Sequence, residues 1–229
     1  MGIRYKVDEK FFDTWSSRMS YVLGYIYADG SLENSPKIRG LYVRVSSTDK
    51  ETIERIKLWL SSDHTTREEI SQWKNGKKRY LLRIGNQRLY GSLTKLGLYP
   101  RKSLTIEMPN IPKKYFLDFV RGYFDGDGCV YPYFVVNKNN IMYARKLCVI
   151  FTSGSREYLI QLSQLLHVHI GLRPLRPLRN TRSFQLRYST NDSLEFFNAL
   201  YKNSKKGDYL ERKYDKFQKF LAIRATKMA

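Results

Sequence analysis

At 229 residues the chain is long enough for one large domain or two modest ones, and its 42% apolar and 14% aromatic content excludes a disordered polymer. Forty-one Lys and Arg against twenty-one Asp and Glu leave a formal charge of +20, which points to an anionic partner, nucleic acid first. No apolar run is long enough to span a bilayer, and no stretch reads as a basic amphipathic anchor.

The opening "MGIRYKVDEK" is charged, carries no secretory signal, and has Lys6 where a myristoylation start wants Ser or Thr. Next, "RMSYVLGYIYA" (18–28) reads as a helix capped by Asp13 or Thr14. Gly24 and Ala28 fall one turn apart on a single face, and a lone acid, Asp29, follows. The stretch "GLYVRVSSTDKETIERIKLWL" (40–60) alternates as a strand, with Leu41, Val43 and Val45 inward, and then becomes helix-periodic. Asn75-Gly76 suits a hairpin turn, and "RLYGSLTKLGL" continues as a helix. The proline-rich "YPRKSLTIEMPNIP" reads as a linker.

The same order then recurs. In "PKKYFLDFVRGYFDG" (112–126), Pro112 suits a first helical turn, Gly122 and Gly126 repeat the small-residue spacing, and Asp127 follows as Asp29 does. A strand with Leu147, Val149 and Phe151 inward leads to a second helix. The hairpin of 172–189 has Asn180 at its turn and Pro174 and Pro177 on its edge side, and "SLEFFNALY" closes the half as a helix. The expected fold is α+β: a pseudo-two-fold repeat of αββαββα halves, 1–98 and 112–229, joined by a linker at 99–111.

Glycine inside a helix costs about 1 kcal/mol relative to alanine, so two helices that accept it gain something in return. Small residues one turn apart let the two helix backbones approach, which makes Gly24, Ala28, Gly122 and Gly126 the expected interface. Both helices then end at one level and deliver Asp29 and Asp127 side by side, where carbonyl ends add negative charge. Two carboxylates there repel unless a cation lies between them, and hard oxygen ligands favour Mg²⁺.

"VLGYIYADG" (22–30) and "VRGYFDGDG" (120–128) resemble the paired signatures of single-chain LAGLIDADG homing endonucleases. "GLYPRKS" and "PNIPKKYFLDFVRGYFDGDG" are similar to that family's linker and second-motif surroundings. The resemblance implies two antiparallel sheets forming a DNA-binding saddle with the motif helices at the interface. It also implies a monomer that cuts both strands of a long double-stranded target with Mg²⁺ or Mn²⁺. Asp29 and Asp127 carry over as catalytic acids and metal ligands, with the backbone of Ala28 and Gly126 beside them. An RNA maturase is another role the family implies, and a DNA-binding regulator that has lost cleavage is a third reading. The family's auxiliary lysine or glutamine has no clean match; Ser47, Gln87, Ser153 and Asn191 occupy the nearest positions. The motif position two residues before the final acid is Tyr27 in the first half and Asp125 in the second. It is not a metal ligand in the family pattern, so activity is expected to survive.

Periodicity supplies the candidate DNA contacts. Tyr42, Arg44 and Ser46 point outward from the first sheet, and Arg83 and Arg187 hold equivalent places on the fourth strands. Arg173, Arg176, Arg179 and Arg182 recur every third residue, and Arg101-Lys102 and Arg212-Lys213 sit at comparable ends of the halves. His64, His167 and His169 are too few for a histidine-metal nuclease, and Cys129 and Cys148 lack zinc spacing. With two cysteines read as reduced thiols, the expected setting is soluble and intracellular.

Overall fold

Each half is built around a four-stranded antiparallel sheet whose first strand grows straight out of a helix. The structure is a computed structural model that describes residues 5–35, 40–70, 76 and 78–225, so Asn75 of the expected turn lies outside the described residues. Gly76 has a φ of +65°.

The first half runs α1 (Ser17–Asp29), β1 (Gly30–Ser35), β2 (Gly40–Ser47), α2 (Lys50–Trp59), β3 (Arg67–Ile70), β4 (Lys78–Gly85) and α3 (Gln87–Lys95). The second runs α4 (Phe116–Asp127), β5 (Gly128–Val136), β6 (Met142–Ser153), α5 (Arg156–Ile170), β7 (Leu178–Asn180), β8 (Ser183–Tyr188) and α6 (Thr190–Tyr201). A further helix, α7 (Glu211–Ala225), extends it. The sheet orders match: β1-β2-β4-β3 and β5-β6-β8-β7. Both halves thus have the expected αββαββα order.

The alternation predicted the buried faces, except that Leu41, near the start of β2, is only half-buried. Val43 and Val45 turn inward with Leu82 and Ile84 against Ile53, Ile56, Leu89 and Leu93; Leu147, Val149 and Phe151 do so in the second sheet. The hairpin in 172–189 turns at Thr181 and Arg182, with Asn180 as the last residue of β7, paired to Ser183. β3 escapes the pattern because all four of its residues are exposed, which erases the alternation that marks a strand.

Two helix starts differ from expectation. The α1 cap is Ser16, whose hydroxyl accepts from the Met19 amide at 3.1 Å. Asp13 instead accepts from Arg88 at 2.7 Å and Ser92 at 3.1 Å, and the Arg88 bond holds its carboxyl below the usual range. Pro112 precedes a short 3-10 turn, Lys113–Tyr115, and α4 begins only at Phe116.

Two units emerge from the packing. One comprises residues up to Lys102 together with Pro109–Gly126; the other comprises Ser103–Met108 with the chain from Asp127 onward. Helix α4, up to Gly126, therefore belongs with the first unit, and its partner there is α1. A Cβ on Gly24 would collide with the carbonyl oxygen of Phe119, and a Cβ on Gly122 with that of Tyr21. A Cβ on Gly126 would strike that of Ala28 and lie 3.4 Å from Asp29 Oδ2.

Around this seam Ser20 Oγ donates to the Tyr115 carbonyl at 2.8 Å, and the Tyr27 ring meets Phe119 edge-on at 5.3 Å. The Tyr21 hydroxyl donates to the buried Asp125 at 2.6 Å and accepts from Arg55 at 2.9 Å. Burial, then the Asp125 charge, pushes the Tyr21 hydroxyl well above its ordinary pKa, so it stays a donor at every working pH. With neighbours on every side, α1 is buried from Met19 to Tyr27.

Gly24→Ala or Gly122→Ala is expected to cost about 1–3 kcal/mol through overpacking. Gly91→Ala on α3, where a Cβ meets nothing within 4 Å, should instead be neutral or stabilising by about 1 kcal/mol. Urea midpoints for the three variants check the contrast.

Candidate active site

The acids of the doubled motif sit where helix becomes strand. Asp29 is the last residue of α1, and Gly30, its cap, already pairs with Val45 in the sheet. A Cβ on Gly30 would lie 2.6 Å from the Ile26 side chain and 2.7 Å from its Cα, so this abrupt exit needs glycine. Asp127 ends α4 in the same way, and Gly128 pairs with Phe151. Asp29 is half-buried and Asp127 exposed.

The surroundings of Asp29 are polar and tied to the sheet. Its carbonyl accepts from Ser46 Oγ at 3.5 Å, and Ser46 in turn accepts from Arg79 Nη2. One turn earlier, the Tyr25 hydroxyl is driven up in pKa by burial first and by the Asp29 charge second. It is a neutral phenol held beside a carboxylate.

A buried lysine lies at each helix-to-strand junction. Lys102 is 5% exposed, and its Nζ donates to the Tyr27 carbonyl at 2.7 Å. Lys213, on α7, is 3% exposed and donates to the Gly128 carbonyl at 2.5 Å. Sequence reading placed both as surface cations beside Arg101 and Arg212; of these pairs only the arginines are exposed. The lysines went unrecognised because their partners lie 75 and 85 residues away, a separation that leaves no local mark. An ammonium at a helix C-terminus offsets the negative end of the dipole and satisfies carbonyls that the helix cannot.

The remaining candidates fall into three settings. Ser47 and Ser153 end β2 and β6, are buried, and accept from the amides of Asp49 and Ser155, so both shape the turn into the next helix. Gln87 and Asn191 are exposed residues of the first turns of α3 and α6. On the outer face of the first sheet, Tyr42, Arg44 and Arg83 are half-exposed, but Ser46 is 3% exposed. It bridges Arg79 and the Asp29 carbonyl rather than facing open solvent.

On the second sheet Arg187 is exposed and donates twice to Gln185 Oε1. Arg173, Arg176, Arg179 and Arg182 are all exposed along the irregular run into β7 and its turn. Arg173 lies 3.8 Å from Asp192, and Arg179 over the Phe184 ring.

Among the described residues no group of three or more His, Cys, Asp or Glu is placed to hold a metal ion. No helix among them is long and apolar enough to cross a membrane. A divalent cation at either acid would rest on one carboxylate and neighbouring backbone oxygens. That set suits Mg²⁺, which takes one or two protein carboxylates and fills its shell with water and phosphate.

Comparison with solved structures finds the same fold repeatedly. The homing endonuclease I-WcaI, bound to its DNA recognition sequence, superposes with a TM-score of 0.60 at 12% identity over 91% of this chain and 90% of that one. The LAGLIDADG meganuclease I-AabMI, bound to uncleaved DNA, gives 0.60 at 14% identity over 91% and 90%. Full-length DUF199/WhiA from Thermatoga maritima gives 0.54 at 16% identity, covering 93% of this chain and 64% of that one. No match was found among curated protein sequences. The family model for the LAGLIDADG-like domain matches twice, over residues 16–97 and 115–202, one match to each half. The chain therefore belongs to the LAGLIDADG family, with both of its repeats in a single polypeptide.

Proposed function

We propose that the protein is a metal-dependent endonuclease that hydrolyses phosphodiester bonds on both strands of a long, specific DNA target. The observation that carries this reading is the repeated helix end, in which α1 and α4 each finish in an aspartate that leads directly into a sheet. Two further facts support it. Endonucleases of this fold are solved on DNA, and a +20 chain is suited to a polyanion.

In this reading Asp29 serves one strand and Asp127 the other. Their carboxylates, with the carbonyls of Ala28 and Gly126, would hold Mg²⁺ or Mn²⁺. A bound cation supplies Lewis-acid stabilisation of the charge that develops on the phosphoryl and leaving oxygens. Lys102 and Lys213, fixed by their carbonyl bonds, add a positive field at the same place without needing to reorganise. They fill the auxiliary role for which the sequence showed no match. Tyr25 stays protonated beside Asp29. The retained acid at both helix ends argues against a regulator that has lost cleavage.

Incubating the protein with a plasmid library carrying randomised inserts and Mg²⁺ should yield linear product. Asp29→Asn or Asp127→Asn should abolish double-strand cutting while retaining DNA binding. Normal cutting by both variants would overturn the assignment, and binding to structured RNA without cutting would favour a maturase.

Lys102→Met and Lys213→Met should each lower the cutting rate by about 10²-fold or more with binding retained, read as strand-specific nicking on a labelled target.

Binding should weaken by about 10³-fold between 50 and 200 mM salt if six or more phosphates are contacted, as titration at several ionic strengths would show.

A further inference from the structure

The outer face of the first sheet holds a charge arrangement that sets it apart from the rest of this basic chain. Arg44 on β2 lies between two carboxylates, with Nη1 at 3.6 Å from Glu33 Oε1 and Nη2 at 3.8 Å from Glu69 Oε2. Glu33, on β1, is itself anchored by Arg83 Nε at 2.8 Å. The Arg83 guanidinium lies 3.8 Å from the centre of the Tyr42 ring. Four side chains from four strands thus form a lattice of two cations and two anions.

Within it the two arginines differ in what they have left to offer. Arg83 has Nε on Glu33 and lies over the Tyr42 ring, and its Nη2 is buried without a hydrogen-bond partner, turned away from solvent. The Arg44 contacts are beyond hydrogen-bond length, so its two Nη groups are oriented but their donors are not consumed. Arg44, Glu33 and Glu69 all remain partly accessible, with 34%, 24% and 46% of their side chains exposed. A cavity of about 960 Å³ opens over the same face, floored by Tyr42, Leu81 and Arg83 and rimmed by Tyr5, His64 and Arg88.

A phosphate is a poor partner for such a place, because two carboxylates beside the arginine repel it. A base edge is a good one. It is neutral, guanine offers O6 and N7 in the spacing of an arginine fork, and cytosine N4 offers a donor to a carboxylate. Holding the fork in place beforehand also reduces the entropy lost on binding. The second sheet has no counterpart: β5 to β8 contain no Asp or Glu.

Resting on the DNA-cutting reading, we propose that Arg44, held in position by Glu33 and Glu69, reads a guanine in the half-site that meets the first sheet. The second half-site carries no equivalent carboxylate-framed guanine contact. Arg44 is here a specificity residue, not a phosphate anchor.

The test is selection from a randomised duplex library by the full chain without divalent metal, followed by sequencing of the bound fraction. Wild-type protein should enrich a motif with one strongly required G·C pair in one half-site. Arg44→Lys keeps the charge but loses the fork, and should erase the preference at that pair by about tenfold or more. The rest of the motif and the salt dependence should be unchanged. Glu33→Gln and Glu69→Gln, which leave the arginine in place, should relax the same position and no other.

An unaltered motif with Arg44→Lys would overturn the proposal while leaving the endonuclease reading standing. So would Arg44→Ala flattening the salt dependence with the motif intact, since that marks a phosphate contact. If wild-type protein enriches no duplex at all, the endonuclease reading falls and this proposal with it.

Discussion

The contact between the backbones of α1 and α4 is the constraint on which the first unit depends. Gly24 and Gly122 each face a carbonyl of the opposite helix, at a distance that a methyl group would not tolerate. The closeness is repaid by hydrogen bonds and ring contacts on both flanks, from Ser20, Tyr21 and Tyr27. Because the seam fixes where each helix can end, it also fixes where Asp29 and the residues leading to Asp127 can be. Asp29 owes its position to residues with no chemistry of their own.

From that seam outward, the structure converts helix into sheet without loops. Gly30 and Gly128 are at once the ends of helices and the first rungs of ladders. An abrupt exit leaves carbonyls facing inward, and these are the groups that Lys102 and Lys213 satisfy. The first lysine comes from the connection between the halves and the second from α7. Two unlike elements therefore each send a lysine to a backbone carbonyl near a motif acid, that of Tyr27 in the first half and that of Gly128 in the second.

Much of this was legible in the sequence for a definable reason. The strands with Val43 and Val45, and with Leu147, Val149 and Phe151, each bury one face, and burial of one face writes a period into the chain. The doubled motif was legible because Gly24 and Asp29 recur ninety-eight residues on as Gly122 and Asp127. β3 left no period, since both its faces are exposed. Helix α7 does carry a pattern, with Lys213, Phe217 and Phe220 buried, but the first half has no helix there to compare. The Arg44–Glu33–Arg83 lattice and the two buried lysines were hidden more deeply. They join residues far apart in the chain, and a salt bridge or a carbonyl contact imposes no spacing on its neighbours.

The difference between Tyr27 and Asp125 has a meaning that only the packing reveals. Tyr21 and Phe119 stand at the same motif position, as do Tyr27 and Asp125. Across the seam these become two unlike clasps: a phenol donating to a carboxylate, and a phenol ring set edge-on against a phenyl. Two copies of the first helix would oppose Tyr21 with Tyr27 and replace the carboxylate acceptor by a neutral phenol, while two copies of the second would bring Phe119 to a buried Asp125. The two helices thus meet as a plug and a socket, each clasp drawing one residue from either motif.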